Sequence, residues 1–331
     1  MNVLVAGGAG YIGSHTVKRL KEAGHSPVIY DNGSRGHPIV AEILKVPCVV
    51  ADLNDRADLS KTLRENKIDT VMHFAAYAYV GESVEVPLMY YHNNVATTIS
   101  VLESMKDCGV KKFVFSSTCA VYGDPDKVPI TEDEKKAPVS PYGRSKLMVE
   151  QILQDYLAAD KNFSFAALRY FNASGCAMDG TIGEDHFPES HLIPAILQAV
   201  LGLRKELTVF GADYPTPDGT NVRDYIHVDD LADAHILAME KLSPGKSIFC
   251  NLGTGSGFSV KQIIATVEKV TGKKVPVKYG PRRTGDAIAL WADPSRAKSV
   301  LGWEAKYKDP ETIVRSAWKW FEKHGRGYKD K

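Results

Sequence analysis

No apolar run in this 331-residue chain reaches the roughly 20 residues that a helix needs to cross a bilayer, and no basic stretch followed by an apolar one opens it. A cytoplasmic protein is expected. Cysteine is sparse and unpatterned: Cys48, Cys108, Cys119, Cys176 and Cys250 form no CxxC pair and mostly sit in apolar segments, which argues against a disulfide framework and for buried thiols. Charge of one sign is lacking too. Lys and Arg number 41 against 40 Asp and Glu, so no global field recruits nucleic acid or an acidic membrane surface. His186 and His191, in HFPESH, suggest a metal, but no cysteine or second histidine pair accompanies them and no metal is expected. Repeats and low-complexity stretches are absent.

What is present is a rhythm of short apolar strands and helical patterns. The first strand, residues 2–6 (NVLVA), runs at once into Gly7-Gly8-Ala9-Gly10-Tyr11-Ile12-Gly13 and a helical stretch over 14–23. The glycines read as GxxGxxG from Gly7 or as GxGxxG from Gly8. Either way a tight strand-to-helix turn presents backbone N–H groups to a pyrophosphate. A second strand, 26–30, ends in Asp31, at the distance from the glycines where a carboxylate bonds the adenosine ribose and repels a 2′-phosphate; this favours NAD over NADP, with Arg35 as the counter-argument. The ordinary reading of Asp31 is a turn cap.

A third strand, 47–51, leads to Asp52-Leu53, beside which an adenine ring commonly lies in such folds, and a fourth, 69–75, exits through Phe74-Ala75-Ala76, where small residues admit a dinucleotide backbone. His73 within it reads as a core histidine. One long helix is expected over 87–108, with Asn93 and Asn94 near its middle; buried mid-helix asparagines need partners, and Asn93 is assigned to a neighbouring loop and the cofactor. A fifth strand, 111–117, places Thr118 at its carboxyl end, the edge where ligands sit in an open α/β sheet. A sixth, 165–170, runs through Tyr170 into Phe171-Asn172. The alternation predicts a doubly wound parallel Rossmann sheet.

Between the fifth and sixth strands lies Ser140-Pro141-Tyr142-Gly143-Arg144-Ser145-Lys146, a helix start that puts Tyr142 and Lys146 on one face. A tyrosine hydroxyl titrates near pH ~10, so it serves as a base at neutral pH only where a cation favours the phenolate. Lys146 is the candidate cation. The bland alternative is an ordinary surface pair, which the glycine turn upstream disfavours.

After Asn172 the rhythm breaks into glycine-rich, acidic and turn-forming stretches, then returns through Arg223-Asp224-Tyr225-Ile226-His227 to an apolar helix over 228–242 and a last strand over 247–252. Residues 1–172 and 222–252 are therefore expected to form the NAD-binding domain, and 173–221 with 253–331 a smaller mixed α/β substrate domain. Gly253-Thr254-Gly255-Ser256-Gly257 resembles a phosphate loop, but Ser259 and Gln262 fit a capping box and a plain crossing. Arg282-Arg283-Thr284-Gly285-Asp286 offers two guanidinium forks to a diphosphate.

The glycine turn, Thr118 and Tyr142-x-x-x-Lys146 together resemble the extended short-chain dehydrogenase/reductase family over essentially the whole chain. Within it the chain is similar to the UDP-glucose 4-epimerase group, through GGAGYIGSH at 7–15, Asp31-Asn32, VGES at 80–83, the 140–146 motif followed by LMVEQIL, RYFN at 169–172 and VRDYIHVDDLADAH at 222–235. The resemblance implies reversible inversion at C4 of a UDP-sugar, UDP-galactose to UDP-glucose, through a transient 4-keto sugar. Tyr142 takes the 4-hydroxyl proton, Thr118 shares a hydrogen bond with the same oxygen, and Lys146 holds the ribose and depresses the tyrosine pKa. NAD contacts then fall on Gly7, Gly10, Tyr11, Ile12, Gly13, Asp31, Asn32, Asp52, Leu53, Phe74, Ala75, Ala76, Asn93, Tyr142, Lys146 and Tyr170. Substrate contacts fall on Thr118, Tyr142, Asn172, His191, Leu192, Val209, Phe210, Arg223, Arg283, Asp286 and Leu290. A homodimer joined by the 87–108 and 142–157 helices is implied as well.

Three departures qualify the match. Ala76-Tyr77-Ala78-Tyr79 stands where a lysine is common, His191 where many members carry asparagine, and Leu290 where a tyrosine often closes the sugar pocket. The shorter Leu290 leaves room for a 2-acetamido group, so UDP-N-acetylhexosamine epimerisation is one alternative; similarity to UDP-xylose/UDP-arabinose 4-epimerases makes a UDP-pentose another. Cys119-Ala120 after Thr118 lacks the acid pair of the related dehydratases, and a decarboxylase's glutamate is missing too. A non-enzymatic NAD sensor of this fold would be expected to lose the Tyr/Lys pair that this chain retains.

Overall fold

The computed structural model describes residues 1–283 and 286–329. Seven strands, β1 (Asn2–Ala6), β2 (Ser26–Asp31), β3 (Cys48–Val50), β4 (Thr70–His73), β5 (Lys112–Thr118), β6 (Ser164–Tyr170) and β7 (Ser247–Leu252), pair in parallel in the order β7-β6-β5-β4-β1-β2-β3. Helices cover both faces, which is why these strands are near-continuous apolar runs instead of alternating ones. Successive side chains still divide between two cores: Val3, Val5, Ile29, Met72 and Val114 join one, Leu4, Ala6, Tyr30, Val71 and Phe113 the other. No helix among the described residues is long and apolar enough to cross a membrane.

Strand order reverses at β1, whose neighbours are β2 and β4, so a crevice opens at the carboxyl ends of β1 and β4. The turns leaving the two strands touch. Gly7 has φ +78°, and a Cβ there would lie 2.4 Å from the Ala75 nitrogen; one on Gly13 would lie 2.2 Å from the Gly7 oxygen. Only glycine lets the first helix, Tyr11–Glu22, spring so directly from β1, and it begins three residues before the expected start.

The long helix expected over 87–108 is interrupted by a turn of π-helix, His92–Ala96, between Pro87–Tyr91 and Thr97–Cys108. An extra residue in one turn rotates the face presented to the core. Asn94 is thereby the asparagine turned inward, buried at 2% exposure, while Asn93 is only partly covered and donates to the Asn94 side chain. Asn94 accepts from the Tyr77 nitrogen at 2.9 Å, donates to the Tyr77 oxygen at 3.0 Å and donates to Ser145 Oγ at 3.0 Å. The loop contact assigned to Asn93 thus belongs to its neighbour. His73 is the core histidine expected, bonded to Thr98 and pushed down to about 3 by burial.

Beyond β6, helices Leu192–Val200, Val260–Thr271 and Pro310–Phe321 pack with the parallel strand pair Leu207–Phe210 and Val277–Gly280 around Ile196, Val209, Ile263, Val314 and Trp320. The capping box at Ser259 and Gln262 is formed. One stretch departs from the expected division: Ala297, Leu301, Trp303 and Ala305 belong to a core of the main sheet, and Trp303 Nε1 donates to the Asp230 oxygen. The chain crosses back there because the indole and its apolar neighbours have a larger apolar surface to bury against.

A buried ion pair joins the helix Pro141–Ala159 to the sheet. Arg169 on β6 donates to both Glu150 oxygens, at 2.8 and 2.6 Å, and Ser117 Oγ on β5 donates to the same carboxylate at 2.6 Å. Tyr122 and Asn251 extend the network. Removing one member strands an unpaired charge in the core, so Glu150→Ala and Arg169→Ala should each lower unfolding free energy by roughly 3–5 kcal/mol. Replacing both by apolar residues should cost less than the sum. Urea unfolding of the three variants tests this; single losses below about 1 kcal/mol would show that the pair bears no such burden.

Candidate active site

Tyr142 is the second residue of the helix Pro141–Ala159, whose start is fixed by Pro141 at its first position and by Ser140 Oγ accepting from the Gly143 nitrogen at 3.1 Å. Gly143 admits the turn after β5: a Cβ there would sit 2.6 Å from the Ala120 oxygen. That approach carries Thr118, at the end of β5, to the tyrosine. Burial pushes the Tyr142 hydroxyl up to about 12, and a hydrogen bond with Thr118 works against the rise.

Lys146 lies one turn deeper, at 2% exposure. Its ammonium donates to the Ser116 oxygen at 2.8 Å and sits 4.8 Å over the Phe115 ring. Burial pulls its pKa down to about 7, with Glu150 opposing. The expected depression of the tyrosine by the lysine is therefore not a property of these side chains as they stand. Each is driven toward its neutral form, and the ammonium's hydrogen bond goes to a backbone carbonyl. Tyr170, whose hydroxyl bonds Ser116 Oγ, is likewise raised by burial.

The glycine turn has the features an anionic dinucleotide requires. Gly10 caps the helix Tyr11–Glu22 without a side-chain bond, and no acid occupies the first turn, so the N–H groups of Tyr11, Ile12 and Gly13 are left to a ligand. Asp31, at 8% exposure, accepts from the Ala9 and Gly33 nitrogens, so it also caps the turn; burial raises its pKa while those two donors lower it. Asn32 donates to Asp52, and Leu53 is buried behind them. Arg35 is engaged elsewhere, paired with Glu82 at 2.8 Å and 5.2 Å from the Tyr77 and Tyr79 ring centres. Tyr11 turns its hydroxyl to the Gly175 oxygen at 2.5 Å, linking this turn to the segment after β6.

The expected substrate residues fall into two groups. Strand Ala289–Leu290 pairs with Val222–Arg223, which sets Leu290 beside Arg223; Arg223 reaches Asp286 at 3.5 Å, and Arg283 lies 3.9 Å over the Phe210 ring with Val209 buried beneath. Asn172 pairs in register with Tyr225 on the same side. Leu290 packs toward Val121, Tyr122 and Phe171, just past Thr118. Of the two guanidinium forks, Arg282 is spent on Asp213 at 2.9 Å and stacks on Tyr214; Thr284 and Gly285 lie outside the described residues. The second group, His191 and Leu192, opens the helix Leu192–Val200. His191 bonds Glu189 at 2.9 Å and neighbours His186 and Glu184, an association of two imidazoles with two carboxylates that the reading of HFPESH overlooked.

Sequence reasoning also missed Asp224. Fully buried, it accepts from the Thr254 nitrogen and hydroxyl and from the Ala292 nitrogen, so the 253–257 glycines are a crossing held by a carboxylate. Burial lifts its pKa to about 6 against those donors. An aspartate beside an expected ligand arginine reads as a surface acid, and nothing local marks it otherwise.

The model of the NAD dependent epimerase/dehydratase family matches residues 3–253. The chain is 48% identical, over the whole of both proteins, to the UDP-glucose 4-epimerase of Lactobacillus helveticus. Among solved structures it is similar to the UDP-glucose 4-epimerase of Stenotrophomonas maltophila with bound NAD and formylated UDP-arabinopyranose, at 45% identity and a TM-score of 0.95 over 98% of this chain and 99% of that one. The enzyme from Bifidobacterium longum in complex with NAD+ and UDP is 40% identical, with a TM-score of 0.95 over 99% and 100%. With a glycine turn, a strand-end threonine and a Tyr/Lys helix in one crevice, and with these likenesses over its full length, the chain belongs to the NAD dependent epimerase/dehydratase family.

Proposed function

We propose that the chain interconverts UDP-galactose and UDP-glucose by inversion at C4, in the cytoplasm, with NAD as a resident cofactor. The observation that carries this reading is the approach of Thr118, at the carboxyl end of β5, to Tyr142, with Lys146 one turn deeper on the same helix. NAD, when bound, supplies the redox couple that oxidises and re-reduces C4. The chain holds it through the N–H groups at Gly10 to Gly13, the Asp31 carboxylate toward the ribose, Asn32, Asp52 and Leu53 about the adenine, Phe74 to Ala76 along its backbone, and Asn93, Tyr142, Lys146 and Tyr170 at the reacting end. Arg35, tied to Glu82, is poorly placed to receive a 2′-phosphate, which supports NAD over NADP.

Tyr142 takes the 4-hydroxyl proton and returns it, while Thr118 steadies the same oxygen. Because burial disfavours the phenolate, a positive charge entering the pocket is what makes the tyrosine a base. Inversion requires the 4-keto sugar to turn, so the grip is on the nucleotide: Asn172, His191, Leu192, Val209, Phe210, Arg223, Arg283 and Asp286 serve there. Two copies pair through the 87–108 and 142–157 helices, a reading supported by Leu88, Met89, Ile99 and Met148, all exposed.

Leu290 supports a second substrate range. It packs against the Val121, Tyr122 and Phe171 cluster, and a side chain shorter than a tyrosine at that place favours acceptance of a 2-acetamido group.

Tyr142→Phe should lower kcat by roughly 10²–10⁴-fold while NAD affinity, measured by fluorescence titration, changes little. A variant that turns over as fast as the parent would overturn the assignment. Leu290→Tyr should reduce kcat/KM for UDP-N-acetylgalactosamine more than for UDP-galactose in a coupled assay; equal ratios before and after would remove Leu290 from specificity.

Lys146 also predicts a pH dependence. Its folded pKa of about 7 lies below the ~10.4 of an unfolded lysine, so between those values the unfolded chain binds the extra proton and stability rises with pH. Lys146→Met should lose that rise. Urea unfolding of both proteins at several pH values checks it, and parallel curves would contradict the shift.

A further inference from the structure

Hydrogen bonds from the His191 backbone nitrogen and ring to Glu189 Oε1 account for only part of how the four side chains around His191 are joined. Glu184, His186, Glu189 and His191 follow one another as Glu-x-His-x-x-Glu-x-His, and one oxygen or nitrogen of each lies within 4.8 Å of all the others. His191 Nδ1 is 2.9 Å from Glu189 Oε1 and 3.1 Å from Glu184 Oε1; His186 Nδ1 is 3.3 Å from Glu184 Oε1 and 3.6 Å from Glu189 Oε2. Ligand atoms about 2.0–2.1 Å from a tetrahedral zinc stand about 3.3 Å from one another, the middle of this set. Two of the buried atoms, Glu184 Oε1 and His186 Nδ1, have no hydrogen-bond partner, although the Glu184 side chain is only 2% exposed. A buried carboxylate oxygen aimed between two imidazole nitrogens without a hydrogen bond is what a shared cation would satisfy.

The surroundings hold these groups in place independently of one another. The intervening Asp185 points away, accepting from the Tyr328 nitrogen at 3.0 Å and pairing with His37 at 3.2 Å. Tyr328 bonds the Gly183 nitrogen, and Arg204 donates to the Glu189 backbone oxygen. The Tyr11 ring meets His186 edge-on at 5.9 Å, and the Tyr79 ring lies 6.3 Å from His186 and 6.2 Å from His191. His191, at 39% exposure, leaves the cluster open on one side for entry.

We propose that Glu184, His186, Glu189 and His191 form a four-ligand site for a divalent transition-metal cation, with two imidazoles and two carboxylates best suited to Zn²⁺. The ion closes the segment from Gly183 onto the start of the helix Leu192–Val200, and with all four positions taken by protein it acts by fixing His191 at the nucleotide grip and not in the chemical step. Binding of the cation does not depend on which sugar the enzyme uses.

The test is made on the full chain without substrate. Protein stripped with a chelator is titrated with ZnCl₂ by calorimetry, and bound metal is counted by mass spectrometry after dialysis. About one equivalent per chain is expected, with a higher Tm on loading, and Co²⁺ in its place should give the visible absorption of a tetrahedral site. Glu184→Gln and His186→Ala should each weaken Zn²⁺ by at least ~10-fold, the loss already seen when only a ligand's support is removed. NAD binding by the same samples reports that they are folded, and should His186→Ala fail to fold, Glu184→Gln and the wild-type titration stand alone. Absence of stoichiometric zinc in the parent, or zinc kept unchanged by both variants, would overturn the proposal and leave the cluster as an imidazole–carboxylate ion pair.

Discussion

One buried pair, Glu150 with Arg169, sets the register on which the site depends. The carboxylate lies on the helix that carries Lys146 one turn and Tyr142 two turns earlier, and it accepts from β6 through the guanidinium and from β5 through Ser117, the residue before Thr118. Three site residues far apart in sequence are thereby indexed to one another by a single charged junction. A buried ion pair is weak evidence for stability, because desolvation offsets much of its attraction. Its bidentate geometry is strong evidence for position, since a helix slipped by one residue would leave both charges unpaired.

The electrostatics above that junction run against the chemistry the crevice is built for. Burial drives Tyr142 toward about 12 and Lys146 toward about 7, so without an added charge the pair rests close to hydroxyl and partly neutral amine. The same burial that opposes the phenolate magnifies the effect of any positive charge brought beside it, because the effective dielectric is low.

The parallel sheet, the glycine turn and the Tyr/Lys helix were legible in the sequence because each has a local cause: an apolar run, a backbone that only glycine can follow, a capped helix start. What escaped depended on distant atoms. The hold on the 77–79 loop falls to Asn94 and not to Asn93, because a π-turn shifts the inward face by one residue and no composition marks it. Arg282 and Arg283 look alike until Asp213, from another loop, claims the first. The 295–305 stretch followed the small domain by sequence order, yet Trp303 found its partner at Asp230. In HFPESH the histidines alone suggest a ligand set, and only the fold brings Glu184 and Glu189 beside them.

The loop after β4 shows how these parts bear on one another. In the stretch Ala76-Tyr77-Ala78-Tyr79 both tyrosines are fastened by their backbone: Tyr77 by Asn94, Tyr79 by the Tyr90 hydroxyl. Asn94 also grips Ser145, whose hydroxyl donates to the Tyr142 backbone oxygen, so the loop is coupled to the helix that carries Tyr142 and Lys146. Arg35 covers both rings from the side of the turn after β2, and the Tyr79 ring faces His186 and His191 on the other. The two rings and the Arg35 guanidinium thus link the turn after β2 to the histidine–glutamate cluster through one continuous set of contacts.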